Sequence, residues 1–98
     1  MIKHVVMWKL SPGVEPGDPR LAQAATDLAA LVGVVPGLLD LSFGADLSRQ
    51  DASWDMALSS THESAQALGA YQAHPAHLAV IELLQGVFAE RAVVDFQG

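Results

Sequence analysis

Residues 2–10, Ile-Lys-His-Val-Val-Met-Trp-Lys-Leu, constrain the fold more than any other stretch of the chain. The run is rich in β-branched and aromatic residues and stops at Ser11-Pro12-Gly13, so it reads as a strand. Side chains alternate across a strand, which puts Ile2, His4, Val6, Trp8 and Leu10 on one face and Lys3, Val5, Met7 and Lys9 on the other. Neither face is fully polar, so both need a cover at the strand centre. Helices on one side of a sheet leave the other side bare, and a second sheet supplied by a two-fold copy is the simplest closed solution.

The remaining elements follow from local signals. Asp18 before Pro19 is an N-cap followed by proline at the first helical position, and Leu21, Ala24, Ala25, Leu28, Leu31 and Val32 recur at helical spacing, predicting a helix over 19–33. Pro36-Gly37 is a turn, after which Leu39, Leu41, Phe43 and Ala45 alternate with polar or small residues as a second strand. Residues 47–53 read as a hairpin loop and 54–60 as a third strand. Ser60 with Glu63 fits a capping box for a second helix ending near Gln72, and Ser64 is an equal candidate for the cap. His74-Pro75 breaks that helix, because a residue before proline avoids the α region, and a new helix starts there and runs to Gly86. Residues 87–96 form a last strand with Ala92, Val94 and Phe96 opposed to Arg91, Val93 and Asp95. The order β-α-β-β-α-β gives an α+β, ferredoxin-like antiparallel sheet with helices on one face.

A chain of 98 residues fits one domain, expected over 1–98, and buries only about 60–65% of the surface its unfolded form exposes. Apolar residues make up 51% of it and charged residues 16%, so some apolar surface is expected between subunits of a homodimer. Five scattered cations against eleven acids, net −6, leave no basic stripe for nucleic acid or an anionic membrane. Cysteine is absent, which removes disulfides, thiolate ligands and a Cys nucleophile. The N-terminal strand turns polar by Lys9, too soon for a signal peptide, so a cytoplasmic protein is expected. No glycine-rich nucleotide loop or serine elbow occurs, and no cofactor is expected.

Four groups carry candidate chemistry: His4, Tyr71, His74 and His77. With Pro75 as the first helical residue, His74 is the N-cap and His77 the third residue, in the positive field of the helix start that disfavours imidazolium. A neutral His77 can act as general base toward an acidic carbon or hydroxyl, and Tyr71 can donate to the developing oxyanion. The alternative is structural: His77 hydrogen-bonded to a carbonyl, Tyr71 as a core aromatic, His74 as a cap. His4 on the apolar, helix-covered face requires a polar partner there. Val6 and Trp8 on that same face, with His4 and His74, make up the candidate substrate-binding set, and Trp8 and Trp54 also read as core or dimer contacts. His4, His74 and His77 are three imidazoles, but no carboxylate partner is evident and no metal site is expected. His62 follows the expected end of the third strand and reads as solvated.

Lys3-His4-Val5-Val6-Met7-Trp8-Lys9, Val35-Pro36-Gly37, Tyr71-Gln-Ala-His-Pro-Ala-His77 and Val93-Val94-Asp95-Phe96 together resemble the stress-responsive dimeric α/β barrel (Dabb) family over nearly the whole chain. The resemblance implies a ferredoxin-like homodimer whose two sheets form a barrel. The family includes plant stress proteins without known catalysis and a plant polyketide cyclase of the olivetolic acid type, in which the tyrosine and last histidine of the motif do the chemistry. Carried over, Tyr71 and His77 are the catalytic pair, His4 lines the pocket, and the ligand is small and hydrophobic or polyketide-like. The chain departs from the cyclase in the third strand, where a further pocket histidine gives way to Asp55 or a neighbour. Similar dimeric barrels include cofactor-independent monooxygenases, a third reading beside the cyclase and the non-catalytic stress protein.

Overall fold

The first strand, β1 (Ile2–Leu10), is central in the computed structural model, which describes residues 1–98. It pairs antiparallel with β3 (Met56–His62) on one side and β4 (Phe88–Gln97) on the other, and β2 (Leu38–Ala45) completes the sheet against β3. The order β2-β3-β1-β4, with helices α1 (Pro19–Ala29), α2 (Ala65–Ala73) and α3 (Pro75–Leu83), is the expected ferredoxin-like α+β arrangement. Register aligns side chains in rows across the inner face. Phe43, Leu58, Val6 and Val93 form one row, and Leu41, Ser60, His4 and Asp95 the next. Val6 and Leu58 join Leu28, Leu31, Val35, Leu68, Tyr71 and Val80 in the main core. Each large side chain buried there contributes about 1.5–3 kcal/mol against leaving it in water.

The outer face has no helix. Met7, Val94 and Phe96 lie there, 39%, 60% and 50% exposed. No helix of the chain is long and apolar enough to cross a membrane.

The element ends depart from the sequence-based expectation in ways the hydrogen bonds explain. Helix α1 stops at Ala29 rather than 33: the Leu31 and Val34 amides bond three residues back, to Leu28 and Leu31, and Gly33 takes a left-handed φ of 89°. Leu31 stays buried, so its apolar spacing was a core signal rather than a helix signal. Strand β3 lies two residues later than expected. β1 begins at Ile2, whose partner in register is His62, so the polar run Ser60-Thr61-His62 is drawn into the sheet. Trp54 consequently falls before the strand, with the Lys9 ammonium 5.0 Å from its ring centroid. Ser60 cannot cap a helix from within β3, and Ser64 caps α2 by accepting from the Ala67 amide at 3.1 Å.

Gly37 ties β2 to α2. Its φ is 82°, and a Cβ placed on it would lie 2.6 Å from the Ala67 Cβ, so only glycine meets both the backbone conformation and the close approach.

Candidate functional site

The break between α2 and α3 positions the site. His74 is extended, with φ −66° and ψ 135°, as a residue before proline prefers, and its Nδ1 accepts from the Ala76 amide at 3.1 Å. The chain turns there so that Tyr71, near the end of α2, faces His77 at the start of α3, their ring centroids 4.3 Å apart. His77 Nδ1 lies 3.2 Å from the Gln72 carbonyl oxygen. A carbonyl only accepts, so Nδ1 carries the proton, and an otherwise orphaned carbonyl in the last turn of α2 gains a donor. The neutral ring then keeps its lone pair on Nε2, which makes no hydrogen bond within the protein. Burial holds the His77 imidazole below its ordinary value; the Gln72 bond opposes this, and the nearby His4, Arg91 and His74 reinforce it. His77 is therefore neutral at pH 7.

Tyr71 is 1% exposed, and its hydroxyl has no hydrogen-bond partner in the protein. Burial pushes its pKa up to about 12, so it is a phenol at neutral pH and a donor with no protein acceptor. His4 stands 6.3 Å from it, ring to ring. The partner that His4 required is Asp95, its cross-strand neighbour on β4: Oδ1 lies 2.5 Å from His4 Nδ1. The carboxylate accepts, so Nδ1 donates and the ring orientation is set.

These groups meet a cavity of about 650 Å³ between the sheet and α3, within the range of small-molecule sites. His4, Tyr71 and His77 supply polar wall, and Val6, Trp8, Phe43, Leu58, Val80 and Phe88 supply apolar wall. Trp8 is stacked on Phe88 at 4.8 Å, which stiffens that side. The lining also includes Leu78 and Ile81, 49% and 52% exposed, so the cavity opens to solvent along α3. His4, Val6, Trp8, Tyr71 and His77 are thus brought together, and His74 is not among the lining residues, its Nδ1 being held in the cap. No three His, Asp or Glu side chains converge as a metal-holding group.

Two residues are placed otherwise than the sequence suggested. Asp55 is no pocket residue: its carboxylate accepts from the Leu10 amide at 2.8 Å and from Arg49 at 2.9 Å, and these bonds hold its pKa below the ordinary value. His62 is not solvated but fully buried, its ring 4.8 Å from Tyr71, with Nε2 2.9 Å from the Ser60 hydroxyl and Nδ1 unpartnered. Burial lowers its pKa, with a smaller contribution from His4. It packs against Tyr71 and is not among the residues that line the cavity. The period-two series Met56, Leu58, Ser60, His62 carried that signal, but only once β3 is extended to meet Ile2.

The model of a family described as the stress responsive A/B barrel domain, Dabb, matches residues 2–97. An uncharacterised protein of Streptomyces coelicolor is 32% identical over 97 residues, covering 99% of both chains. A dimeric ferredoxin-like protein of Thermobifida fusca is similar in structure, with TM-score 0.83 and 29% identity over 97% of this chain and 88% of that one. A hydroxynitrile lyase of Passiflora edulis shares the fold, with TM-score 0.77 and 16% identity over 97% of this chain and 90% of that one.

Proposed function

Because the chain belongs to the stress-responsive A/B barrel (Dabb) family, we propose that it acts as a homodimer, each subunit holding a small apolar carbonyl compound in the cavity and removing a proton from it without a cofactor. The dimeric state of the Thermobifida fusca protein and the uncovered apolar face around Val94 and Phe96 support the assembly. The observation that carries the chemistry is the pairing of an unpartnered phenol with a neutral, oriented imidazole on one cavity wall.

The steps follow from those two groups. His77 Nε2 takes a proton from the carbon between two carbonyls, and the electron pair moves onto a carbonyl oxygen as an enolate. The Tyr71 hydroxyl donates to that oxygen as charge develops, in a site where it has no competing partner. The enolate carbon then bonds to a second carbonyl carbon of the same chain, and the new alkoxide takes the proton back from His77 Nε2. The net reaction is aldol closure of a polyketide-like β-dicarbonyl. Throughout, Nδ1–H stays on the Gln72 carbonyl, and His4, held by Asp95, forms a hydrogen-bonding wall. The alternative, a stress protein in which the motif only caps and packs, expects a filled interior, and the cavity weighs against it. In Passiflora edulis the same fold carries a hydroxynitrile lyase, so cyanohydrins belong in the substrate screen.

The test is turnover of linear β-polyketide analogues. His77→Ala should abolish cyclisation and Tyr71→Phe should slow it by about 10²–10³, while sedimentation still reports a dimer in both. Undiminished turnover in both variants would remove the assignment.

A further inference from the structure

The charges at the mouth of the cavity bear on which carbonyl compounds it prefers. The chain has five cationic side chains besides histidine. Arg20 is paired with Asp18, Arg49 with Asp46 and Asp55, Lys9 with Glu90, and Lys3 donates to the Thr61 hydroxyl. Arg91 alone has neither an ion pair nor a hydrogen bond from its side chain, in a protein of net charge −6 where acids outnumber cations. It also lines the cavity.

Its position is set by the sheet. Arg91 is the register partner of Trp8 on β4, and alternation continues the same face through Val93 to Asp95. Of the two charged groups at the ends of that row, Asp95 is engaged by His4 and Arg91 by nothing. Arg91 lies on the helix side of the sheet, opposite the face that carries Val94 and Phe96, so a sheet-to-sheet dimer leaves it at the cavity. Its positive charge is among those that depress His77, which places it within electrostatic reach of the base.

We propose that the ligand is an amphiphilic carboxylic acid: its apolar body fills the cavity, its reacting carbonyl meets Tyr71 and His77, and its carboxylate is bound by Arg91 at the mouth. This rests on the cavity being a ligand site. A carboxylate fits better than a phosphate because Glu82 also lines the cavity, so a single guanidinium neutralises one charge there but not two. The forked guanidinium also matches a carboxylate in two parallel hydrogen bonds. The Arg91 and His4 rows are four strand residues apart, about 13 Å, which bounds the distance from the anion to the reacting carbon. Medium-chain acids fall inside that bound.

Calorimetric titration with nonanoate and nonanamide, matched in shape and different in charge, tests this. The dimeric wild type at low ionic strength should bind nonanoate about ten-fold or more tightly than nonanamide. Arg91→Gln should abolish that preference and leave nonanamide affinity unchanged, Arg91→Lys should retain part of it, and His77→Ala should retain all of it. Equal affinities in the wild type, or a preference that survives Arg91→Gln, would overturn the carboxylate assignment and leave the cavity reading standing. Failure of both probes to bind would overturn both.

Discussion

Replacing Tyr71 by Phe separates a hydroxyl that holds the fold together from one kept for a ligand. The ring is 1% exposed and packs against His62 at 4.8 Å and His77 at 4.3 Å, contacts that Phe preserves. The hydroxyl has no protein partner, so no intramolecular hydrogen bond is lost. An ordinary buried Tyr→Phe substitution that breaks such a bond costs about 1–1.5 kcal/mol. Here the cost is absent, and relief of an uncompensated buried hydroxyl contributes between nothing and about 2 kcal/mol in the opposite direction. The variant is therefore expected to be as stable as the wild type or more stable, its melting temperature raised by about 4–8 °C per kcal/mol gained. Turnover should move the other way, by about 10²–10³ for one lost oxyanion donor. Urea denaturation at fixed protein concentration, which holds the dimer contribution constant, measures the first quantity, and steady-state kinetics the second. A destabilisation of 1 kcal/mol or more would mean that the hydroxyl is bonded within the fold, and the reasoning that reserves it for a substrate would fail.

Other perturbations follow from single features. Gly37→Ala combines a left-handed φ with a 2.6 Å contact to Ala67 and should cost about 2–4 kcal/mol in urea denaturation, with no variant at Gly13, which meets nothing, showing a contact penalty of that kind. His62 and His77 both have pKa values lowered by burial, so the unfolded chain binds protons first as pH falls through about 6.5. Their neutral forms cost nothing above that pH, and below it stability should decline by up to about 1.4 kcal/mol per pH unit for each, a slope that His62→Phe reduces. The acid limb of kcat/KM should likewise fall below pH 6.5, since His77 must be neutral to act. Val94→Asp, on the uncovered sheet face, should shift sedimentation from dimer to monomer.

Much of the fold was legible because its signals are local. The apolar pattern of Ile2–Leu10 marked a strand, Asp18-Pro19 started α1 at the right residue, and His74-Pro75 placed the cap and restart that set His77 beside Tyr71. What was misread depends on partners distant in sequence. Thr61 and His62 look like a loop by composition, and only pairing with Lys3 and Ile2 makes them strand. Helix α1 was overrun because Leu31 is a core residue without being helical. The union of His4 with Asp95, 91 residues away, and the isolation of Arg91 at the cavity mouth required β4 to lie beside β1, which no local spacing specifies.

Proton abstraction in the cavity is open to direct observation by deuterium exchange. An alkyl β-diketone probe in D2O, at low buffer concentration and neutral pH, loses its central proton signal at a rate readable by NMR. With the wild-type dimer the loss should be saturable in probe and faster than in buffer, it should return to the buffer rate in His77→Ala, and it should slow by about 10²–10³ in Tyr71→Phe. Exchange at the buffer rate in the wild type, or undiminished exchange in His77→Ala, would contradict the assignment of His77 as the base.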